Sequence, residues 1–173
     1  VRLAHYPHDA YAFERCDALG LIVQTEIPWV NHLGPDASDA YFDSIEQNLR
    51  SMIRNYYNHP SIVFWGLSNE LNGSHWSSGG SPQGGFSAEK AVAWNNAFYA
   101  MAKELDPTRY VGFTAYGPTF DGSKPGDWQA DFIAMNEYKG WYGGVFEEFG
   151  AEMDTYRAGT QVPWAVGEYG AGN

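Results

Sequence analysis

The sequence holds a single cysteine, Cys16, in 173 residues. That excludes an internal disulfide framework and a cysteine-based zinc site, and it leaves the redox compartment open. Positive charge is scarce too: ten Lys and Arg stand against twenty-one Asp and Glu, for a net charge of −11. A phosphate backbone is held through a basic footprint, so nucleic acid is not an expected partner. No apolar run approaches the about 18 residues a membrane helix needs, and no membrane span is expected. The opening Val1-Arg2-Leu3-Ala4-His5 has no apolar stretch of the signal-peptide kind. With no initiator Met, the chain reads as an excerpt of something longer. Oligomeric state and localisation leave no mark in the sequence.

What is present suits one domain over residues 1–173, long enough for a sizeable core. Short apolar runs alternate with helix-period segments, the pattern of βα units around a parallel sheet. Strands are expected at residues 1–4, 21–27, 61–67, 110–115, 131–136 and 164–167, nearly continuous in apolar residues, as in sheets buried on both faces. Phe42, Ile45, Leu49, Met52, Ile53 and Tyr56 form a helical stripe, with Ser38 as its N-cap and Pro60 beyond its end. Trp94, Phe98, Met101 and Leu105 form a second stripe, ended by Asp106-Pro107. Phe13, Cys16 and Leu19 form a shorter one, closed by Gly20. A weaker helix is expected over Glu147–Ala158, and residues 116–130 read as loop. Residues 72–86, with five glycines and four serines, read equally as a surface loop or as a wall beside a site.

In parallel βα architectures reactive side chains gather at the carboxyl ends of the strands. That rule selects His5, Glu26, Asn69-Glu70, Tyr116, Asn136 with Tyr138, and Glu168. No nucleophile elbow and no phosphate-binding glycine loop is present. A metal site at His5-Tyr6-Pro7-His8-Asp9 is disfavoured, because Pro7 breaks the helix that an i, i+4 zinc pair requires. Two carboxylates among aromatic rings suit glycoside hydrolysis, where one acid protonates the leaving oxygen and the other attacks or activates water. Taken alone, strand-end glutamates are as consistent with solvated or arginine-paired side chains.

Four segments carry a more specific signal. Residues 57–70, Tyr-Asn-His-Pro-Ser-Ile-Val-Phe-Trp-Gly-Leu-Ser-Asn-Glu, resemble the acid/base signature of glycoside hydrolase family two, the family of β-galactosidases, β-glucuronidases and β-mannosidases. Residues 2–8 and 16–21 resemble that family's second strand and following helix. Residues 136–142, Asn-Glu-Tyr-Lys-Gly-Trp-Tyr, resemble its sixth-strand segment, and Gly167-Glu168-Tyr169-Gly170 its nucleophile segment on strand seven. The resemblance implies an α/β fold, a (β/α)8 TIM barrel of which this chain supplies strands two to seven and lacks strands one and eight. Such a piece, with opened sheet edges, is expected to be unstable and inactive in isolation.

It also implies roles. Glu70 would be the acid/base and Glu168 the nucleophile of a retaining double displacement, Glu70 holding its proton while Glu168 is ionised. Asn69 would bind the sugar 2-hydroxyl, His5 and Trp141 would contact the sugar, and Tyr138 would sit beside Glu168 and tune its charge. Glu26 and Asn136 would support these groups. The expected substrate is a carbohydrate, with a terminal β-galactoside first, then a β-glucuronide, then a β-mannoside. A non-catalytic carbohydrate-binding barrel and a purely structural α/β domain are the rival readings. No cofactor is expected: His32 lies where some relatives bind a metal, but Val30 stands where they carry Glu, which argues against a catalytic Mg²⁺.

Overall fold

A computed structural model describes residues 1–31, 38–71, 88–116 and 124–170. Six strands, β1 (Arg2–Leu3), β2 (Val23–Glu26), β3 (Ile62–Asn69), β4 (Tyr110–Tyr116), β5 (Phe132–Asn136) and β6 (Trp164–Glu168), form one parallel sheet in chain order. They stand at the six expected places. Helices α1 (Ala10–Leu19), α2 (Asp39–Tyr56), α3 (Ala88–Leu105) and α4 (Phe149–Gly159) fill the connections. Residues 72–87, which hold the glycine- and serine-rich run, His32 and part of the 116–130 connection lie outside the described residues. The rest of that connection includes a short 3-10 turn, Pro125–Asp127.

Sequence-level signals end the helices. The Ser38 side chain accepts from the Tyr41 N–H at 3.3 Å, and Asp9 caps α1 by accepting from Ala12 at 3.0 Å. Gly20 closes α1 in the left-handed conformation, φ +67°, which glycine adopts without penalty. Trp65, Val111 and Ile133 of the sheet are buried in one hydrophobic core with Leu49 and Ile53 of α2 and Phe98 of α3. Phe98 is stacked on Phe42 at 4.6 Å and takes the edge of Trp29 at 5.4 Å.

Three expectations change: α4 begins at Phe149, after a 3-10 turn over Phe146–Glu148, rather than at Glu147. Leu19 is 63% exposed, because it lies six residues past Phe13, about 120° around the helix from it. The third strand runs two residues further than its apolar run, through Ser68 to Asn69. A register shift between Gly66 and Asn69 and a bridge from Val30 carry it that far, so polar residues enter the ladder.

The sheet is strongly curled. Six strands laid flat would separate the first from the last by roughly 24 Å, yet Arg2 of β1 is ion-paired with Glu168 of β6. Strands that curl this far bring their inward side chains together, and glycines make room for them. A Cβ on Gly66 would stand 2.6 Å from the Glu26 Cβ, and one on Gly167 would stand 2.8 Å from Asn136 Oδ1. The described part of the chain is a curled, incomplete α/β barrel of six parallel strands.

Candidate active site

The carboxyl end of β3 positions the first carboxylate. Asn69 donates its backbone N–H to Trp29 and accepts from Asn31 N–H at 2.8 Å; Glu70 N–H then crosses to the Thr114 carbonyl, also at 2.8 Å. Glu70 takes φ +54°, a conformation uncommon for any residue but glycine, and lies buried. Such geometry persists where neighbouring hydrogen bonds over-determine it, as the two strands flanking β3 do here. The Glu70 carboxylate accepts from Asn136 Nδ2 at 2.6 Å, and the same amide reaches Asn69 Oδ1 at 3.2 Å.

The second carboxylate ends β6. Glu168 Oε1 accepts from Arg2 Nη1 and Oε2 from the Tyr138 hydroxyl. The Tyr138 phenol is shifted to higher pKa, first by burial and then by its bond to this carboxylate, so it stays a hydrogen-bond donor. Arg2 is the hub of the site. Its Nε and Nη2 bind the two Glu26 oxygens at 3.0 and 2.8 Å, and Nη2 also donates to Asn69 Oδ1 at 2.8 Å. One guanidinium therefore reaches the neighbours of Glu70 and the oxygen of Glu168 together.

Glu26, its side chain 1% exposed, also holds His5: Nδ1 lies 2.8 Å from Glu26 Oε1 and Nε2 lies 3.7 Å from Glu168 Oε1. Nδ1 also lies 3.2 Å from Arg2 Nη2, but a carboxylate can only accept, so the shorter contact assigns Nδ1–H to Glu26 and leaves Nε2 toward Glu168. The Glu26 hydrogen bond raises the His5 pKa above 6.5. Burial and Arg2 oppose that shift, and Glu168 adds to it.

The structure thus gathers His5, Glu26, Asn69, Glu70, Asn136, Tyr138 and Glu168 into one network. Trp141 stands apart from it. Its indole is 47% exposed on the turn after β5 and lines an apolar recess of about 380 Å³ with Phe146, Phe149 and Tyr169. Tyr116 ends β4 and shares a smaller cleft with Tyr138 and Tyr142. The His5–Asp9 segment is dispersed: His5 enters the site, while Asp9 caps α1. No cluster of three or more His, Cys, Asp or Glu suited to a metal occurs among the described residues, and His32 lies outside them.

Sequence reasoning passed over Arg2 and Asn31 as site residues. The signal for Arg2 was a lone charge inside the apolar run of residues 1–4. Asn31, which accepts from Asn69 Nδ2 at 3.1 Å, follows a strand end with no pattern to single it out.

Comparison with known proteins places the chain in a family. The model of the TIM barrel domain of glycosyl hydrolases family 2 matches residues 1–173. A β-glucuronidase of Bacteroides fragilis is 34% identical over 99% of this chain, which spans 23% of that protein. A β-galactosidase of Thermoanaerobacterium thermosulfurigenes is 35% identical over 67% of the chain and 14% of its own length. Among solved structures, a Bacteroides uniformis β-glucuronidase superposes with a TM-score of 0.85 at 33% identity, over 99% of this chain and 20% of that one. In fold, in motif order and in the match of its whole length, the chain belongs to the TIM barrel domain of glycosyl hydrolases family 2.

Proposed function

We propose that the protein containing this chain hydrolyses terminal β-glycosides by double displacement, with Glu168 as nucleophile and Glu70 as acid/base. The observation that carries this reading is the single hydrogen-bonded chain from Glu70 through Asn136, Asn69 and Arg2 to Glu168. In the first step a Glu168 oxygen attacks the anomeric carbon, the glycosidic bond breaks, and Glu70 gives its proton to the departing oxygen. In the second, Glu70 takes a proton from water, which displaces Glu168 from the glycosyl ester. Arg2 and Tyr138 hold the two Glu168 oxygens at a fixed orientation, so attack needs little rearrangement. Asn69 faces the 2-hydroxyl, a contact that strengthens in the transition state, and His5 Nε2 faces a neighbouring sugar hydroxyl.

For the sugar, β-glucuronides take first place and β-galactosides second, the reverse of the order read from sequence. The support for this reversal is that β-glucuronidases outnumber β-galactosidases among the relatives that match nearly the whole chain; a β-galactosidase matches over 67% of it, and a Bacteroides fragilis structure provisionally described as a β-galactosidase over 98%. The test uses the full-length protein with 2-deoxy-2-fluoro glucuronosyl, galactosyl and mannosyl probes, read by intact mass and peptide mapping. A glucuronosyl adduct on Glu168 is the expected result. Another sugar on Glu168 corrects the substrate, and no adduct from a folded protein favours a non-catalytic carbohydrate-binding barrel.

A further inference from the structure

We propose that Glu137, anchored by the Tyr156 hydroxyl of α4, is a positioning residue that sets Tyr138 against Glu168; this rests on the glycosidase reading above. Alternation after β5 turns Asn136 and Tyr138 toward the site and Glu137 away from it. Asn136 holds Glu70 and Tyr138 holds Glu168, so the outward residue between them sits on the short segment that serves both carboxylates. β5 ends at Asn136, and Tyr138 lies beyond its ladder. The Tyr138 N–H donates instead to Glu137 Oε1 at 3.0 Å. The other Glu137 oxygen accepts the Tyr156 proton at 2.6 Å.

The Glu137 N–H is bound to the carbonyl of Glu168 itself at 3.0 Å, which fixes this segment to the nucleophile's own backbone. Just beyond Tyr138 the chain turns sharply. Trp141 N–H returns to the Tyr138 carbonyl at 2.9 Å, and Gly140 takes φ +83°. Tyr142 flanks the Tyr138 ring at 5.0 Å, edge to face, and the Glu137 clamp on the N–H sets the backbone from which the phenol reaches Glu168. The anchor is stiff. Tyr156 is buried, its phenol pushed to higher pKa first by that burial and then by Glu137, so it remains a donor. Glu152 lies 3.0 Å from the same hydroxyl, and Lys139 Nζ holds its other oxygen at 2.8 Å. The single phenolic proton goes to the nearer Glu137, while Lys139 balances Glu152. Helix α4 thereby reaches the nucleophile through Tyr156, Glu137 and Tyr138 in series.

The experiment compares E137A, E137Q, Y156F, Y138F and the double variant E137A/Y138F in the full-length protein. kcat and KM are measured per active site titrated with the fluoro-glycoside that labels the unsubstituted protein. Y138F removes a hydrogen bond to a charged group and should slow kcat roughly ten- to a hundredfold. E137A should slow it roughly three- to tenfold with KM little changed, Y156F somewhat less, and E137Q should recover most of the loss, because its amide oxygen can accept from the Tyr138 N–H while its NH2 donates to the Tyr156 oxygen, whose proton turns to Glu152. Since Glu137 acts through Tyr138, the double variant should be no slower than Y138F beyond about twofold. Losses that multiply in the double variant would overturn the proposal. So would an E137A enzyme with a lowered melting temperature but unchanged kcat per titrated site. Absence of both turnover and adduct in the unsubstituted protein would instead overturn the glycosidase reading beneath it.

Discussion

Replacing Arg2 and Glu26 singly and together separates what their ion pair does for the fold from what it does for Glu168. Their side chains are 9% and 1% exposed. Arg2→Met leaves the Glu26 carboxylate buried beside His5 with two of its donor bonds gone, and Glu26→Leu strands the guanidinium between Asn69 and Glu168. Removing one partner of a buried pair costs about 3–5 kcal/mol, whereas replacing both by apolar groups of similar size is often neutral. In a domain of this size about 1 kcal/mol moves Tm by roughly 2–4 °C. Arg2→Met should therefore melt roughly 10 °C lower in calorimetry of the full-length protein, Glu26→Leu by less because Arg2 keeps Glu168 as a partner, and the double variant within roughly 5 °C of the parent. Turnover should divide the variants differently. Arg2→Met and the double variant both lose the donor to Glu168, so kcat/KM falls roughly ten- to a hundredfold in each. Glu26→Leu keeps that donor and loses less. A double variant as unstable as the two single losses added together would refute the pairing. Arg2→Met with parental turnover would refute the role assigned to the guanidinium.

Three further outcomes follow from the same geometry. Gly66→Ala should destabilise by about 1–3 kcal/mol and disturb activity through Glu26, because its Cβ would lie 2.6 Å from the Glu26 Cβ; a thermal melt with unchanged Tm would contradict the close approach. His5 has its pKa raised, chiefly by Glu26, so its ionic contribution is complete below about pH 6.5 and is lost as pH rises through the folded value. A His5→Asn variant should accordingly show a flatter Tm-versus-pH curve across neutral and mildly alkaline pH. Asp106 is held well below the usual carboxylate range; burial opposes this, but bonds from Thr108, Arg109 and Trp65 outweigh it. Its contribution is present above about pH 3.8 and lost as pH falls through the folded value. Asp106→Asn should thus cost about 3 kcal/mol near pH 7, and the gap to the parent, followed by Tm against pH, should close in acid.

The frame of the molecule was legible because its signals are local. Runs such as Ile62–Leu67 and Phe132–Asn136 need no partner to be recognised as buried strands, and Ser38 marks a helix start by its own hydroxyl. Both carboxylates were legible for a related reason: each closes a strand within a compact motif. Arg2 was not, since its importance lies in partners 24, 67 and 166 positions away that no local pattern reveals. Leu19 misled in the opposite sense. Apolar identity suggested a buried stripe, but the helical angle turns it to solvent. The start of α4 shifted because Phe146–Glu148 form a 3-10 turn, whose tighter winding periodicity does not register.

The contact between Arg2 and Glu168 also bears on the order in which the molecule assembles. Closing a loop of 166 residues costs roughly 2 kcal/mol more chain entropy than closing the 24 residues between Arg2 and Glu26. Arg2 can therefore join Glu26 as soon as two neighbouring strands meet, while its bond to Glu168 must wait until the intervening strands have been laid down in turn. Glu168 can meet Tyr138, 30 positions away, as soon as its own strand joins β5, but it gains Arg2 only at the end of that sequence, so a partly folded chain holds pieces of the network without the link between its two ends.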